Sequence, residues 1–267
     1  MKMHIGVSTA CFYPAPTEEA LLLAAHSGAP CTEIFINADS EFRPGFFDRL
    51  AASARESGIE VVSIHPFTSG MEPILFFSDY PRRMQDGLEM YRRFFGLAAR
   101  IGARYFVLHG ARAESALPDE ELFERFMMLR RLAAGEGVRL LQENVARCKS
   151  RSPDFIQKMR DCLGGEAEFV LDTKQALRSG VSIEEMRRAM GEGLRHVHIS
   201  DCSAQKDCVL PGRGQLDIAG FSRLLSGSGY QGDVMLEVYR DSYDEVQELF
   251  SSYRYLAGQM RQGEEVF

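Results

Sequence analysis

Arg139-Leu140-Leu141-Gln142-Glu143 and Glu168-Phe169-Val170-Leu171-Asp172 are two apolar runs, each closed by a carboxylate, with a helical pattern at Pro153–Leu163 between them. A short apolar run fits a strand covered on both faces, and a polar last residue places its side chain at the rim of the sheet. The same strand-then-helix unit recurs about every 33 residues, the pattern of parallel βα units. Strands are predicted at His4–Ser8, Thr32–Ile36, Val61–His65, Tyr105–His109, Arg139–Glu143, Glu168–Asp172, His196–Ser200 and Val234–Val238. Helices are predicted at Thr17–Ser27, Gly45–Ser57, Pro81–Ile101, Asp119–Gly135, Pro153–Leu163, Ile183–Met190, Ile218–Ser226 and Tyr243–Met260.

Eight such units with right-handed crossovers close into a barrel. The expected fold is therefore α/β, a single (β/α)8 TIM barrel with residues 1–267 as one domain. An open doubly wound sheet would want a glycine-rich phosphate turn after its first strand, and Ser8-Thr9-Ala10-Cys11 provides none. Thr17 with Glu18 and Glu19 reads as a capped, acidic helix start, while Gly28, Gly58 and Gly102 stand where helices should stop.

At 267 residues and 45% apolar, the chain can bury a large core. Its net charge of −7 lacks the basic excess that neutralises nucleic-acid phosphates, so the expected partner is a small molecule rather than a nucleic acid. No run approaches the roughly 20 apolar residues of a membrane span, and Met1–Ser8 has no signal-peptide core. The six cysteines are scattered without a Cys-x-x-Cys pair, which fits reduced thiols and a cytoplasmic location.

The chemistry lies in what ends the strands. Val61–Ile64 ends on His65, Tyr105–Leu108 on His109, Leu140–Gln142 on Glu143, Phe169–Leu171 on Asp172, Arg195–Val197 on His198, and Val234–Leu236 on Glu237. Side chains alternate along a strand, so an inward Glu143 implies inward Asp172, His198 and Glu237 at similar height. Three carboxylates above an apolar interior would repel one another and resist ionisation. One divalent metal ion removes that conflict. Oxygen-rich ligation with a single imidazole favours Mn²⁺, with Mg²⁺, Co²⁺ or Zn²⁺ also accommodated.

At these residues the chain resembles the xylose isomerase-like TIM barrel superfamily, which includes sugar epimerases, hydroxypyruvate isomerases, inosose dehydratases and endonuclease IV. The matching pieces are Leu141-Gln142-Glu143-Asn144, Leu171-Asp172-Thr173, His196-Val197-His198-Ile199-Ser200-Asp201, Pro211-Gly212-Arg213-Gly214 and Leu236-Glu237-Val238, with His65 and His109 extending the match into the first half. The resemblance implies a metal held by Glu143, Asp172, His198 and Glu237. It also implies that Glu143 and Glu237 act as catalytic acid and base on opposite faces of the substrate. The activity it implies is isomerisation or epimerisation of a small sugar, ketose or hydroxy-keto acid by proton transfer through an enediolate. A dehydratase of the inosose or dehydroshikimate type is the nearest alternative, since it begins with the same proton abstraction.

Two departures qualify the match. Endonuclease IV-like nucleases carry a histidine three residues after the aspartate that closes the sixth strand and an Asp-x-His pair in the loop after the seventh; here those places hold Gln175 and Pro211-Gly212-Arg213-Gly214. The third metal site of a nuclease is thus lost. Gln175 can hydrogen-bond a hydroxyl but cannot titrate near neutral pH. Lys174 is expected to meet an anionic group of the substrate, Arg213 to close over the cleft, and His65 and His109 to contact substrate rather than a second metal. His196 is expected to be an interior histidine one layer deeper. The long segment Pro66–Tyr80 reads as either a lid or a homo-oligomer contact. A barrel that binds sugar without turnover is the non-enzymatic alternative, and two opposed glutamates argue against it.

Overall fold

The computed structural model describes residues 3–264 of the chain. Eight strands close into a parallel barrel in the order β1-β2-β3-β4-β5-β6-β7-β8, with β8 pairing back onto β1. They are β1 (Ile5–Ser8), β2 (Cys31–Phe35), β3 (Glu60–His65), β4 (Tyr105–Leu108), β5 (Arg139–Glu143), β6 (Phe169–Asp172), β7 (Leu194–Ile199) and β8 (Asp233–Leu236). The outer layer is α1 (Thr17–His26), α2 (Pro44–Ser57), α3 (Glu72–Leu75), α4 (Pro81–Ile101), α5 (Asp119–Gly135), α6 (Pro153–Leu163), α7 (Thr173–Arg178), α8 (Ile183–Met190), α9 (Ile218–Gly227) and α10 (Val246–Glu264).

Local chemistry explains these boundaries. Prolines open α2, α4 and α6, where the missing N–H costs nothing. Gly58 and Gly102 end α2 and α4 in the left-handed conformation, at φ 68° and 90°. Ser182 and Asp217 accept backbone N–H groups at the starts of α8 and α9. Thr17 does not cap α1 as its sequence suggests. Pro16 occupies that place, and the Thr17 hydroxyl instead donates toward Phe35 O and Glu41 Oε2, tying the helix to the end of β2.

Between barrel and helices lies one continuous apolar core, with Phe76, Tyr91, Phe94, Phe95 and Phe106 packed between α4 and β4. The barrel interior holds its own small clusters: Tyr105, Val107, Leu141 and Val170 on one side, and Cys31, Val62 and Met235 on the other. Val107, Leu141, Val170 and Met235 stand two residues before His109, Glu143, Asp172 and Glu237. Strand alternation therefore puts those four polar residues on the inward face, directly above an apolar floor. No helix among the described residues is long and apolar enough to cross a membrane, and the six cysteines are unpaired.

The segment after β3 is fastened down. Glu72, fully buried, accepts the backbone N–H groups of His109 and Gly110 at 2.7 and 2.9 Å and the Tyr91 hydroxyl at 2.9 Å. Burial pushes its carboxyl up to about 8 against those three hydrogen bonds. Phe76 and Phe77 sink into the core behind it. The segment thus acts as a brace under the end of β4, with Met71, Ile74 and Tyr80 left on its outer side.

Candidate metal centre and cleft

Glu143, Asp172, His198 and Glu237 come together at the C-terminal ends of β5 to β8. Donor atoms of Glu143, Asp172 and His198 lie within 4.8 Å of one another. His198 Nδ1 stands 3.6 Å from Glu143 Oε1 and 3.4 Å from Glu237 Oε2. His198 Nδ1 and Glu237 Oε2 are buried without a hydrogen-bond partner, while Glu143 Oε2 meets His109 and Asp172 Oδ2 meets Lys174. Buried polar atoms in native proteins are mostly hydrogen-bonded, so two of them facing each other at 3.4 Å need an explanation.

His198 decides what the explanation must be. Its Nε2–H donates to Glu33 Oε2 at 3.1 Å. That bond fixes the ring with Nδ1 turned toward two carboxylates, the arrangement in which a carboxylate behind a histidine orients it toward a metal. Burial disfavours a charged ring, yet Glu33 and Glu237 outweigh it and hold His198 well above the ordinary histidine range. Burial, reinforced by Glu143 and Glu237 and opposed by Lys174, pushes Asp172 up to about 6. The cluster calls for more positive charge at this point. Ligand atoms bound about 2.1 Å from one cation stand roughly 3 to 3.5 Å apart, close to the separations around Nδ1. The donor set fits a divalent metal.

Lys174 is placed differently from its sequence expectation. It is 2% exposed, with Nζ 2.8 Å from Asp172 Oδ2 and 2.7 Å from Glu237 Oε1. Burial opposes its charge, but those two carboxylates hold it ionised well above the usual lysine range. It therefore steadies Asp172 and Glu237, two of the four candidate ligands, from the wall of the cleft. It also helps keep Glu237 ionised below the usual carboxylate range, against burial.

Glu143 is surrounded by histidines. His109 Nε2 lies 2.9 Å from Glu143 Oε2, and His65 Nε2 lies 3.7 Å from the same oxygen. Burial works against ionisation, but His109, His198 and His65 hold this carboxyl well below the usual range. His65, His109 and Glu143 are close enough to suggest a second metal site. Arg147 argues against that use. Its guanidinium, which has only donors, lies 2.8 Å from His109 Nδ1, so the ring proton sits on Nε2 and points toward Glu143. His109 offers a donor there, not a lone pair.

Arg213 lies outside the cleft lining, half exposed, paired at 2.5 Å with Glu248 of α10. The loop it belongs to is gathered by Asp201, whose carboxylate accepts the N–H groups of Gly212, Gly214 and Leu216. Gln175 lines the cleft, but its Oε1 is taken by the Ala146 N–H at 3.0 Å. His196 is fully buried one layer below the centre, 3.3 Å from both Glu33 Oε2 and Ser63 Oγ. Above the centre opens a cleft of about 600 Å³ walled by Tyr13, Phe35 and Tyr239.

Residues 21–258 match the family model described as the xylose isomerase-like TIM barrel. The chain belongs to that family. Among its relatives is an uncharacterized protein of Mycobacterium tuberculosis, 26% identical over 262 residues and covering 90% of each chain. The 3-dehydroshikimate dehydratase of Pseudomonas putida is 24% identical over 237 residues, 84% of this chain but only 36% of the dehydratase. Among solved structures, the 3-keto-D-glucoside 4-epimerase of E. coli superposes with a TM-score of 0.77 at 20% identity, covering 96% of this chain and all of the epimerase. This xylose isomerase-like barrel thus shares its backbone course with a sugar epimerase over nearly its whole length.

Three residues that shape the site carry no signal in the strand ends. Glu33 is an acid inside the apolar run Cys31–Ile36, and that misfit is itself the clue. Arg147 comes from a loop and Glu72 opens the one-turn helix α3, where no periodicity marks them.

Proposed function

We propose that the protein is a divalent-metal-dependent isomerase or epimerase of a small sugar, ketose or hydroxy-keto acid, working by proton transfer at the carbon beside a carbonyl. The observation that carries this reading is His198 Nδ1, buried, unpartnered and turned toward Glu143 and Glu237 while Glu33 holds the opposite nitrogen. Glu143, Asp172, His198 and Glu237 would hold the ion, and three carboxylates with one imidazole favour Mn²⁺. When bound, the metal would polarise the substrate carbonyl and offset the charge that develops on its oxygens.

The protein's own groups do the rest. Glu143 and Glu237 enter from different strands, so one can take a proton from the substrate carbon while the other returns it at the opposite face or the neighbouring carbon. Both carboxyls are held ionised, as a general base must be. His109 Nε2–H sits beside Glu143 and steadies its charge. Tyr13, Phe35 and Tyr239 wall the cleft and limit the water that would quench a carbanionic species.

The test is a panel of ketoses, hydroxy-keto acids and cyclitols incubated with protein stripped by a chelator and then resupplied with Mn²⁺. The expected result is a product of unchanged mass, formed only after the metal is restored. A product lighter by one water would favour the dehydratase reading. No conversion of any compound by metal-loaded, folded protein would contradict an enzymatic role.

A further inference from the structure

Most cations around the cleft are already engaged within the protein. Lys174 is bound by Asp172 and Glu237, and Arg178 forms a paired contact with Asp207. Arg240 donates to the carbonyls of Tyr243 and Asp244. Arg147 is different. It sits in the loop four residues beyond Glu143, lines the cleft, and its side chain makes one hydrogen bond among the described residues, from Nη2 to His109 Nδ1. No acidic side chain among the described residues lies within the 4.0 Å of an ion pair from it. Orienting His109 occupies one of its five N–H donors and leaves the planar fork without a match.

Gln175 adds a second donor. Its Oε1 accepts the Ala146 N–H, which ties the turn after β6 to the loop carrying Arg147. With that oxygen occupied, the amide presents Nε2 to the cleft, where it has no acceptor among the described residues. A guanidinium and an amide N–H₂, linked through one backbone bond and both facing the cleft, form a surface of donors without acceptors. The chemistry that matches it is an oxyanion, planar as in a carboxylate or tetrahedral as in a phosphate.

We propose that Arg147 and Gln175 form a subsite for the anionic end of the substrate, so that the protein acts on small hydroxylated carbonyl compounds bearing a carboxylate or a phosphate. This deepens the function proposed above and rests on it for the reacting end of the molecule, which must lie at Glu143 beside the subsite. The anion-recognising role thereby falls to Arg147 rather than to Lys174.

Binding can be tested without turnover. Glycerol, glycerate and glycerol phosphate share one carbon skeleton, and their affinities for Mn²⁺-loaded protein are measured by calorimetry for wild type, Arg147→Met and Arg147→Lys. Wild type is expected to prefer at least one anion over glycerol, and Arg147→Met to narrow that gap by about tenfold or more, the size of one charge-assisted hydrogen bond. Arg147→Lys, which keeps the charge but loses the fork, should fall between. The anion that loses more in Arg147→Met identifies carboxylate or phosphate as the natural group. A gap unchanged in Arg147→Met would mean that the metal alone holds the anion and would overturn the proposal. So would weakening of glycerol and anions by the same factor, since that would reflect only displacement of His109. Either outcome leaves the isomerase reading standing, because the substrate panel tests that separately.

Discussion

Replacing Glu143 by glutamine is expected to cut turnover by about 100- to 10,000-fold, the range over which a positioned acid–base group contributes, while the protein stays folded and still binds ligand. Glutamine keeps the shape and one ligating oxygen but cannot accept a proton from carbon. The environment explains the size of the effect. His109, His198 and His65 hold the Glu143 carboxyl ionised despite full burial, so the base is ready across the neutral pH range. Glu237→Gln is expected to lose turnover similarly, because epimerisation needs one group to take the proton and another to return it. The two variants should differ in exchange of the substrate's carbon-bound hydrogen with solvent deuterium. Whichever variant still catalyses exchange from a given substrate epimer retains the base for that face. Normal turnover in folded, metal-loaded Glu143→Gln would remove it from the mechanism.

Truncating Glu33 to alanine is expected to weaken metal binding by about 10- to 100-fold, the usual cost of removing the group that orients a ligating histidine. Glu33 is fully buried and is not itself one of the four proposed ligands; it acts through His198 Nε2 at 3.1 Å, with Ser63 Oγ donating to it at 2.7 Å. Without that acceptor the ring has no reason to keep Nδ1 free and turned toward Glu143 and Glu237. Glu33→Gln retains one acceptor oxygen and should recover part of the loss. Titration of Mn²⁺ into each folded variant reads the effect directly. An affinity equal to wild type in Glu33→Ala would show that packing alone orients His198.

The parts of the molecule that could be read in advance are those where local chemistry and tertiary structure agree. The bounds of α4, α5, α6 and α8 coincide with the predicted helices because proline, serine or acidic residues start them and glycine directly follows α4, α6 and α8 and is the last residue of α5. The last helix begins at Val246 rather than Tyr243, since the Tyr243 hydroxyl bonds Cys11 O and its carbonyl accepts from Arg240, which holds that stretch as a loop. At the site, Glu143, Asp172, His198 and Glu237 were legible because each closes an apolar run, and alternation then sets its face. Glu33 was not, because it sits inside its run and the apolar pattern continues past it to Ile36. Lys174 and Arg213 show the other gap. Residue type suggested contact with substrate, but Asp172 and Glu237 capture one, and Glu248, distant in sequence, captures the other. Arg147 takes its place from the course of the β5 loop, which is set by bonds such as Ala146 N to Gln175 Oε1 and not by any local pattern.

Diffraction from crystals soaked in Mn²⁺, with data collected at the metal's absorption edge, tests the central claim most directly. The expected result is one anomalous peak with carboxylate oxygens of Glu143, Asp172 and Glu237 and Nδ1 of His198 about 2.0 to 2.6 Å from it. A peak held by other residues, or a cleft that stays empty while those four side chains keep their present contacts, would contradict the account.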